Sequence, residues 1–187
     1  MLQLGESTPR TLTAHAILRE KVGGLFEQLH VPIFRYVMCK TRNSCTAEDI
    51  TQESFLRLYR DLRDERPVES PKAWLFAVAH NLAVDSMRGE SQFKTLDENA
   101  LEQLEDSRSP AQNDAEKTVL ERERREMLRE AIMNLTPLQR ECLHLRAEGL
   151  RLREIAGLLR ISISTVADAT RRASVKLARE FSTEVSQ

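Results

Sequence analysis

Two short apolar runs separated by a polar turn constrain the fold of this chain more than any other feature. In the first run the apolar residues recur at the three- and four-residue steps of one helical face, at Leu152, Ile155, Ala156 and Leu159. The second run repeats this spacing at Val166, Ala169, Ala173 and Leu177. Between them, Ile161 supplies an apolar turn residue and Ser162 a typical helix N-cap. Two helices joined in this way form a helix-turn-helix, a motif that typically enters a DNA groove with its second helix.

The outward face of the second helix carries the side chains that would meet DNA. Its members are small, polar or basic: Ser164, Thr165, Ala167, Asp168, Arg171, Arg172 and Lys176. Hydroxyl groups bond to phosphates or base edges, cations neutralise phosphates, and the helix N-terminus offers free N–H groups. Asp168 stands out because a carboxylate repels phosphate. An ordinary helical hairpin with a solvated face fits the same spacing, so DNA binding is a hypothesis at this point.

The rest of the chain is predicted to be all-α. Aromatic residues make up only 5% of the 187 residues, and no segment shows the alternation of a strand. The net charge of −1 hides segregation, since residues 91–116 carry a net −5 and residues 151–181 a net +4. We predict two small helical domains, at 21–90 and 117–187, joined by an acidic flexible linker at 91–116 and preceded by a variable extension at 1–20.

Three helices are predicted in the first domain. The first starts near Lys21 and meets Pro32, which kinks it or marks a new start. The second has Thr46 as N-cap and acidic residues in its first turn. The third follows Ser70 as N-cap, with Pro71 in its first turn.

Polar side chains form a stripe on each of the last two of these helices. On the second helix the stripe lies opposite the apolar face and comprises Asp49, Gln52, Glu53 and Arg57. On the third helix Asn81, Asp85 and Arg88 share one face. A solvated acidic turn and a simple Asp85–Arg88 pair are the alternatives for these stripes. Trp74 lies among apolar neighbours and is expected to pack in the core rather than to stack on a base.

No pattern predicts an enzyme, a metal site or a cofactor. Cys39, Cys45 and Cys142 form no CxxC pair, and the four histidines stand apart. We expect buried, reduced thiols in a cytoplasmic protein. No apolar run of about 18 residues occurs, and the N-terminus has no apolar signal core.

Three segments carry a resemblance to bacterial sigma factors. Region 4 of those proteins, which reads the minus-thirty-five promoter element, is similar to PLQRECLHLRAEGLRLREIAGLLRISISTVADATRRASVKLARE. The polymerase-binding helix of region 2 resembles AEDITQESFLRLYR, and the helix that melts and reads the minus-ten element resembles PKAWLFAVAHNLAVDSMR. Two such domains in this order resemble the extracytoplasmic-function group of the sigma-70 family.

The resemblance implies partners and assigns residues to them. Core RNA polymerase would be bound by Asp49, Gln52 and Glu53. The minus-ten element would be contacted by Lys72, Asn81, Asp85 and Arg88, with Asn81 at the pocket for a flipped base and residues 63–69 setting its selectivity. The minus-thirty-five element would be contacted by Ser164, Thr165, Asp168, Arg171, Arg172 and Lys176. Promoter DNA, both duplex and melted, is thus a partner, and the family adds an anti-sigma factor.

Four residues, in two places, depart from the family pattern. Ala167, Asp168 and Ala169 stand where a Lys-Ser-Arg-like run is common, and Arg160 stands at a turn position often held by glycine. We therefore predict weak DNA binding by the free protein, with polymerase supplying affinity by holding both domains on one promoter. The acidic linker is either a solvated spacer or a mimic of nascent RNA. The alternative function is a stand-alone helix-turn-helix regulator that binds an operator as a dimer.

Overall fold

The computed structural model describes residues 9–90 and 115–183, and there it contains seven α-helices and no strand. The helices are α1 (Pro9–Thr41), α2 (Ser44–Arg63), α3 (Pro71–Glu90), α4 (Ala115–Met133), α5 (Pro137–Ala147), α6 (Leu152–Leu159) and α7 (Ile163–Thr183). They form two compact units, one with α1 to α3 and one with α4 to α7. The all-α prediction is confirmed. Residues 91–114 of the predicted linker lie outside the described part. None of the described helices is long and apolar enough to span a bilayer.

Helix α1 is longer than predicted at its N-terminal end. It begins at Pro9 rather than near Lys21, because proline suits the first helical turn and the intervening Ala, Leu, Arg and Glu residues are strong helix formers. Pro32 lies inside the helix, which continues past it although proline removes one backbone hydrogen bond. Packing compensates for that loss, since Ile33 and Val37 directly after it are fully buried.

Helix α2 begins about one turn earlier than predicted. Its N-cap is Asn43, whose side-chain oxygen accepts a hydrogen bond from the backbone N–H of Thr46 at 3.0 Å. The prediction of Thr46 as N-cap is wrong because asparagine caps at least as well as threonine, and Arg42 turns the chain at that point with a φ of 51°. The first turn holds no acidic residue, so that prediction is also wrong. Glu48 and Asp49 follow in the second turn.

Helix α3 starts as predicted. The Oγ atom of Ser70 accepts a hydrogen bond from the backbone N–H of Ala73 at 3.3 Å, which makes Ser70 the N-cap. The expected core position of Trp74 is only partly realised, because Trp74 is half-buried whereas Leu75 and Phe76 are fully buried. The latter two side chains form the centre of the core face of α3.

The core of the first unit centres on Tyr36 of α1. The Tyr36 ring meets the Phe76 ring edge to face at 5.5 Å between centroids, and its hydroxyl shares a hydrogen bond of 2.8 Å with Nδ1 of His80. Phe55 and Leu58 of α2 close the same core. Because Tyr36 and His80 lie 44 positions apart, this hydrogen bond fixes α3 against α1.

In the second unit, hydrogen bonds at the ends of the helices define α5. The side chain of Thr136 accepts from the backbone N–H of Gln139 at 3.3 Å, and the side chain of Gln139 accepts from the backbone N–H of Thr136 at 3.1 Å. Gly149, with a φ of 86°, follows the C-cap Glu148 and ends the helix. The Arg140 guanidinium donates to the carbonyls of Met133 and Leu135 at 3.0 and 3.2 Å, and so ties α5 to the end of α4.

The cysteines differ from the prediction of buried thiols. Cys142 of α5 is fully buried, and this burial raises the pKa of its thiol. Cys39 and Cys45 are exposed, so the prediction is wrong for these two. They lie near the end of α1 and the start of α2, off the faces that pack in the core. No disulfide joins any of these three cysteines, all of which lie in the described part of the chain.

Candidate nucleic-acid interface

The turn between α6 and α7 is built from one left-handed residue and one N-cap. Arg160 adopts φ 56° and ψ 43°, and its backbone N–H and that of Ile161 both donate to the carbonyl of Ala156. Ser162 then caps α7, because its Oγ accepts from the backbone N–H of Thr165 at 3.0 Å. The Ser162 cap was predicted from the sequence, and the positive φ of Arg160 fits a turn position that the family often gives to glycine. Together the two features fix the start of α7 relative to α6.

Helix α7 presents one buried and one exposed face. Val166, Ala169 and Ala173 are buried as predicted, whereas Leu177 is half-buried. The candidate DNA contacts are all exposed: Ser164, Thr165, Asp168, Arg171, Arg172 and Lys176. Ala167, also predicted to face outward, is half-buried. On α6, Ile155 and Ala156 are buried as predicted; Leu152 and Leu159 are half-buried, and Leu158 is buried in addition.

Two of the candidate DNA-contacting cations on α7, Arg171 and Lys176, already have partners. Arg171 donates to Oδ1 of Asp168 at 3.3 Å, and the Nζ of Lys176 donates to the main-chain carbonyl of Asn134 at 3.1 Å. Lys176 therefore ties α7 to the end of α4, a structural task that the sequence did not reveal. Arg172 makes no ion pair with any residue that the structure describes.

The polar stripe on α2 is exposed but not uniformly free. Asp49 and Gln52 are exposed. Glu53 is half-buried, and its Oε1 accepts from the Nε of Arg57 at 2.8 Å, with Arg60 at 3.7 Å. The hydrogen bond from Arg57 lowers the pKa of the Glu53 carboxyl, so Glu53 is ionised at neutral pH. The stripe thus offers an amide and two carboxylates, of which that of Glu53 is held by Arg57.

The predicted minus-ten residues of α3 divide between exposed and half-buried positions. Asn81, Asp85 and Arg88 are exposed and share one face, and Lys72 in the first turn is half-buried. Arg88 and Asp85 lie 3.9 Å apart, a loose surface pair of little stabilising value. Asn81 directly follows His80, so the hydrogen bond of His80 with Tyr36 positions it. Among the described residues, no cluster of side chains could hold a metal ion.

The loop before α3 holds its charges in pairs. Arg66 donates to Oδ1 of Asp61 at 2.8 Å, and Arg63 donates to Oδ1 of Asp64 at 3.0 Å. Glu65 between them has a φ of 56°, a conformation that L-residues adopt at a cost. The backbone of this loop is therefore held in a defined shape directly before α3.

Comparison with known protein families matches Sigma-70 region 2 to residues 25–93 and Sigma-70 region 4 to residues 125–177. The chain belongs to the sigma-70 family. The sigma factor is 32% identical over 166 residues to the ECF RNA polymerase sigma factor BldN of Streptomyces coelicolor, covering 84% of this chain and 59% of BldN. It is 27% identical over 149 residues to the ECF sigma factor SigK of Mycolicibacterium vanbaalenii, covering 79% of this chain and 74% of SigK.

A solved structure supports the fold of this sigma factor. The sigma factor RpoE of Bartonella quintana, solved in complex with the anti-sigma factor NepR, matches it with a TM-score of 0.58 and 19% identity. The match covers 87% of this chain and 98% of that one. At this identity the likeness concerns the fold alone.

One surface residue of region 2 was missed by the sequence reasoning. Leu56 is 52% exposed on α2, whereas its neighbours Phe55 and Leu58 are buried. It lies four residues after Gln52 and three after Glu53, and therefore on the same side of the helix. The signal was present in the sequence, because Leu56 falls outside the helical spacing of the apolar core face.

The left-handed Arg160 in the turn of region 4 leads to a stability prediction. We expect Arg160→Gly to raise the free energy of unfolding by about 0.5–1 kcal/mol, because relief of the Cβ clash at positive φ exceeds the entropy cost of glycine. Urea denaturation of the full chain, followed by circular dichroism, measures the change. Arg153→Gly makes the same replacement inside α6 and should lower stability by about 1 kcal/mol. Equal destabilisation by both variants would contradict the assignment of strain to Arg160.

Proposed function

We propose that this chain binds core RNA polymerase and directs initiation at promoters that carry a minus-thirty-five and a minus-ten element. The observation that carries the proposal is the presence, in one chain, of an exposed polar and apolar stripe on α2 and an exposed basic face on α7. Region 2 would span residues 21–90, the linker 91–116 and region 4 residues 117–187. The protein would act in the cytoplasm and catalyse no reaction of its own.

The stripe on α2 suits docking on a protein. Asp49, Gln52 and Glu53 offer acceptors and one amide donor, and Leu56 adds an apolar side chain within the same stripe. An interface with an apolar anchor ringed by polar groups is the arrangement that typically concentrates binding energy. We assign this surface to the polymerase.

The exposed face of α3 suits single-stranded DNA. Asn81 could form two hydrogen bonds to a base edge, while Arg88 and Lys72 supply positive charge for phosphates. The Asp85 carboxylate would repel a phosphate close to the helix. It would thereby favour an extended Arg88 side chain that meets the phosphate farther out. Holding an unpaired base in this way stabilises a melted duplex without any chemical step.

The exposed face of α7 suits duplex DNA. Ser164 and Thr165 lie at the N-terminal end of the helix, next to the first-turn N–H groups that Ser162 does not cap. Arg172 is available for phosphate, whereas Arg171 shares its charge with Asp168 and Lys176 is used within the fold. Few free cations give a shallow dependence on salt and weak intrinsic affinity, so the polymerase would supply the remainder through simultaneous engagement.

An anti-sigma factor is a further proposed partner. The Bartonella RpoE that shares this fold was solved in complex with one. A protein that covers the exposed faces of α2 and α7 would block both polymerase and DNA.

The proposal is tested by transcription with purified core polymerase and a promoter library. We expect the chain to bind the polymerase and to enrich promoters with two conserved elements, while the free chain shifts duplex DNA only weakly. A specific duplex shift by the free chain without any polymerase binding would overturn the proposal and favour the stand-alone dimeric regulator.

Leu56 provides a separate prediction for the polymerase interface. Leu56→Ala should weaken binding to core polymerase about tenfold, because roughly 1.5 kcal/mol of apolar burial is lost. The stability of the free protein should change little, since the side chain is half in solvent. Leu128→Ala removes a leucine that is 39% exposed on α4 and serves as the matched control. Equal affinities for the two variants would remove Leu56 from the interface.

A further inference from the structure

A carboxylate occupies the middle of the surface through which α7 would meet DNA. Ser164 and Thr165 lie one turn before Asp168, and Arg171 and Arg172 lie one turn after it. The Asp168 side chain is 58% exposed, and that of Arg171 is 66% exposed. An acceptor at the centre of a DNA-facing stripe adds repulsion unless a base provides a matching donor.

The major-groove edges of the four bases differ in how they meet an acceptor. Guanine shows two acceptors, and thymine shows an acceptor beside a methyl group. Adenine places its amino donor next to the N7 acceptor, whereas cytosine presents its N4 amino group without an adjoining acceptor. A carboxylate therefore favours cytosine and disfavours guanine and thymine.

Arg171 is coupled to this carboxylate. Its guanidinium donates to Oδ1 of Asp168 at 3.3 Å, and Oδ2 has no partner among the described residues. The pair holds the guanidinium beside the carboxylate on the outward face. Arginine in such a position bonds to O6 and N7 of guanine, the commonest specific contact in the major groove.

We propose that Asp168 and Arg171 together read two neighbouring base pairs of the minus-thirty-five element. Asp168 accepts a hydrogen bond from the N4 amino group of a cytosine and presents Arg171 to a guanine. Asp168 is thus a specificity-determining residue that excludes other sequences rather than one that adds affinity. This inference rests on the proposed function of α7 as the reader of that element.

The test is promoter selection by the holoenzyme from a library randomised across the minus-thirty-five element. Wild type should select a cytosine at one position and a guanine next to it. Asp168→Asn should change the cytosine preference to adenine, because asparagine bonds to N6 and N7 of adenine. The ratio of selected adenine to cytosine at that position should rise about tenfold or more, while preferences distant from it stay unchanged.

Further variants separate the parts of the proposal. Asp168→Ala should abolish the base preference at the cytosine position. It should also partly weaken the guanine preference at the neighbouring position. Arg171→Ala should remove the guanine preference and keep the cytosine. Glu126→Gln, which neutralises an exposed carboxylate on α4, is the matched control and should select the wild-type element.

The outcomes distinguish this inference from the function on which it rests. A cytosine preference that survives in Asp168→Asn, or a wild-type element without cytosine, overturns the inference and leaves the sigma function intact. A holoenzyme that enriches no minus-thirty-five element at all overturns the proposed role of α7, and this inference with it.

Discussion

The double variant Gln52→Ala/Glu53→Ala is expected to bind core RNA polymerase about 100-fold more weakly than wild type. Gln52 is exposed, and Glu53 is a carboxylate whose pKa is lowered by the hydrogen bond from Arg57, so it meets the polymerase as an anion. Loss of one neutral and one charged hydrogen bond across an interface amounts to roughly 3 kcal/mol, which corresponds to about 100-fold in affinity.

The same change should leave the fold of region 2 intact. The bond between Glu53 and Arg57 lies on the surface, where ion pairs contribute little to stability. Removing Glu53 also frees Arg57 and Arg60, which lie within 2.8 and 3.7 Å of it. Two unpaired cations would add repulsion toward any basic group on the polymerase and would strengthen the loss of binding.

Competition against a labelled wild-type chain on core polymerase measures the effect. Glu126→Ala, an exposed carboxylate on α4, controls for a general loss of negative charge. Arg57→Met tests whether Glu53 must be held by Arg57, because it removes that hydrogen bond and keeps the carboxylate. Affinity of the double variant within threefold of wild type would place the polymerase interface elsewhere.

The sequence predicted those parts of the fold that depend on neighbouring residues. The Ser70 and Ser162 caps lie where expected, and the turn position at which Arg160 replaces the family's common glycine is left-handed. Each depends on a few adjacent residues and on backbone chemistry that is much the same in any protein. The error at Thr46 has the same origin, because two good capping residues lay three positions apart and only the turn at Asn43 decided between them.

The parts that the sequence did not predict are contacts between distant segments. Nothing in the local pattern around Lys176 indicates that its ammonium group reaches the carbonyl of Asn134, 42 positions away. The hydrogen bond between Tyr36 and His80 spans 44 positions, and no local sequence pattern indicates it either. The sequence therefore predicted which side chains of α7 are exposed. It did not predict which of them are already bonded within the protein. Lys176 is engaged, Arg171 is shared, and Arg172 is the cation that remains for phosphate.

The hydrogen bond between Tyr36 and His80 also holds the part of α3 that carries Asn81. We expect Asn81→Ala to lower initiation at duplex promoters by about 10- to 100-fold, since a bidentate contact to a base is worth about 1–3 kcal/mol. The backbone at this position is held because His80 is bonded to the buried Tyr36 of α1. The loss should therefore reflect the missing amide and not a displaced helix.

An abasic promoter series identifies the base that Asn81 contacts. One base of the non-template strand is removed at each position of the minus-ten element in turn, and initiation by wild type and Asn81→Ala is compared. At the contacted position the two proteins should become equal, because neither can bond to a missing base, and at all other positions the difference should persist. Asn134→Ala keeps its main-chain carbonyl for Lys176 and controls for loss of an exposed amide. A deficit of Asn81→Ala that persists at every abasic position would show that the side chain contacts no base, and that α3 holds the strand through Lys72 and Arg88 alone.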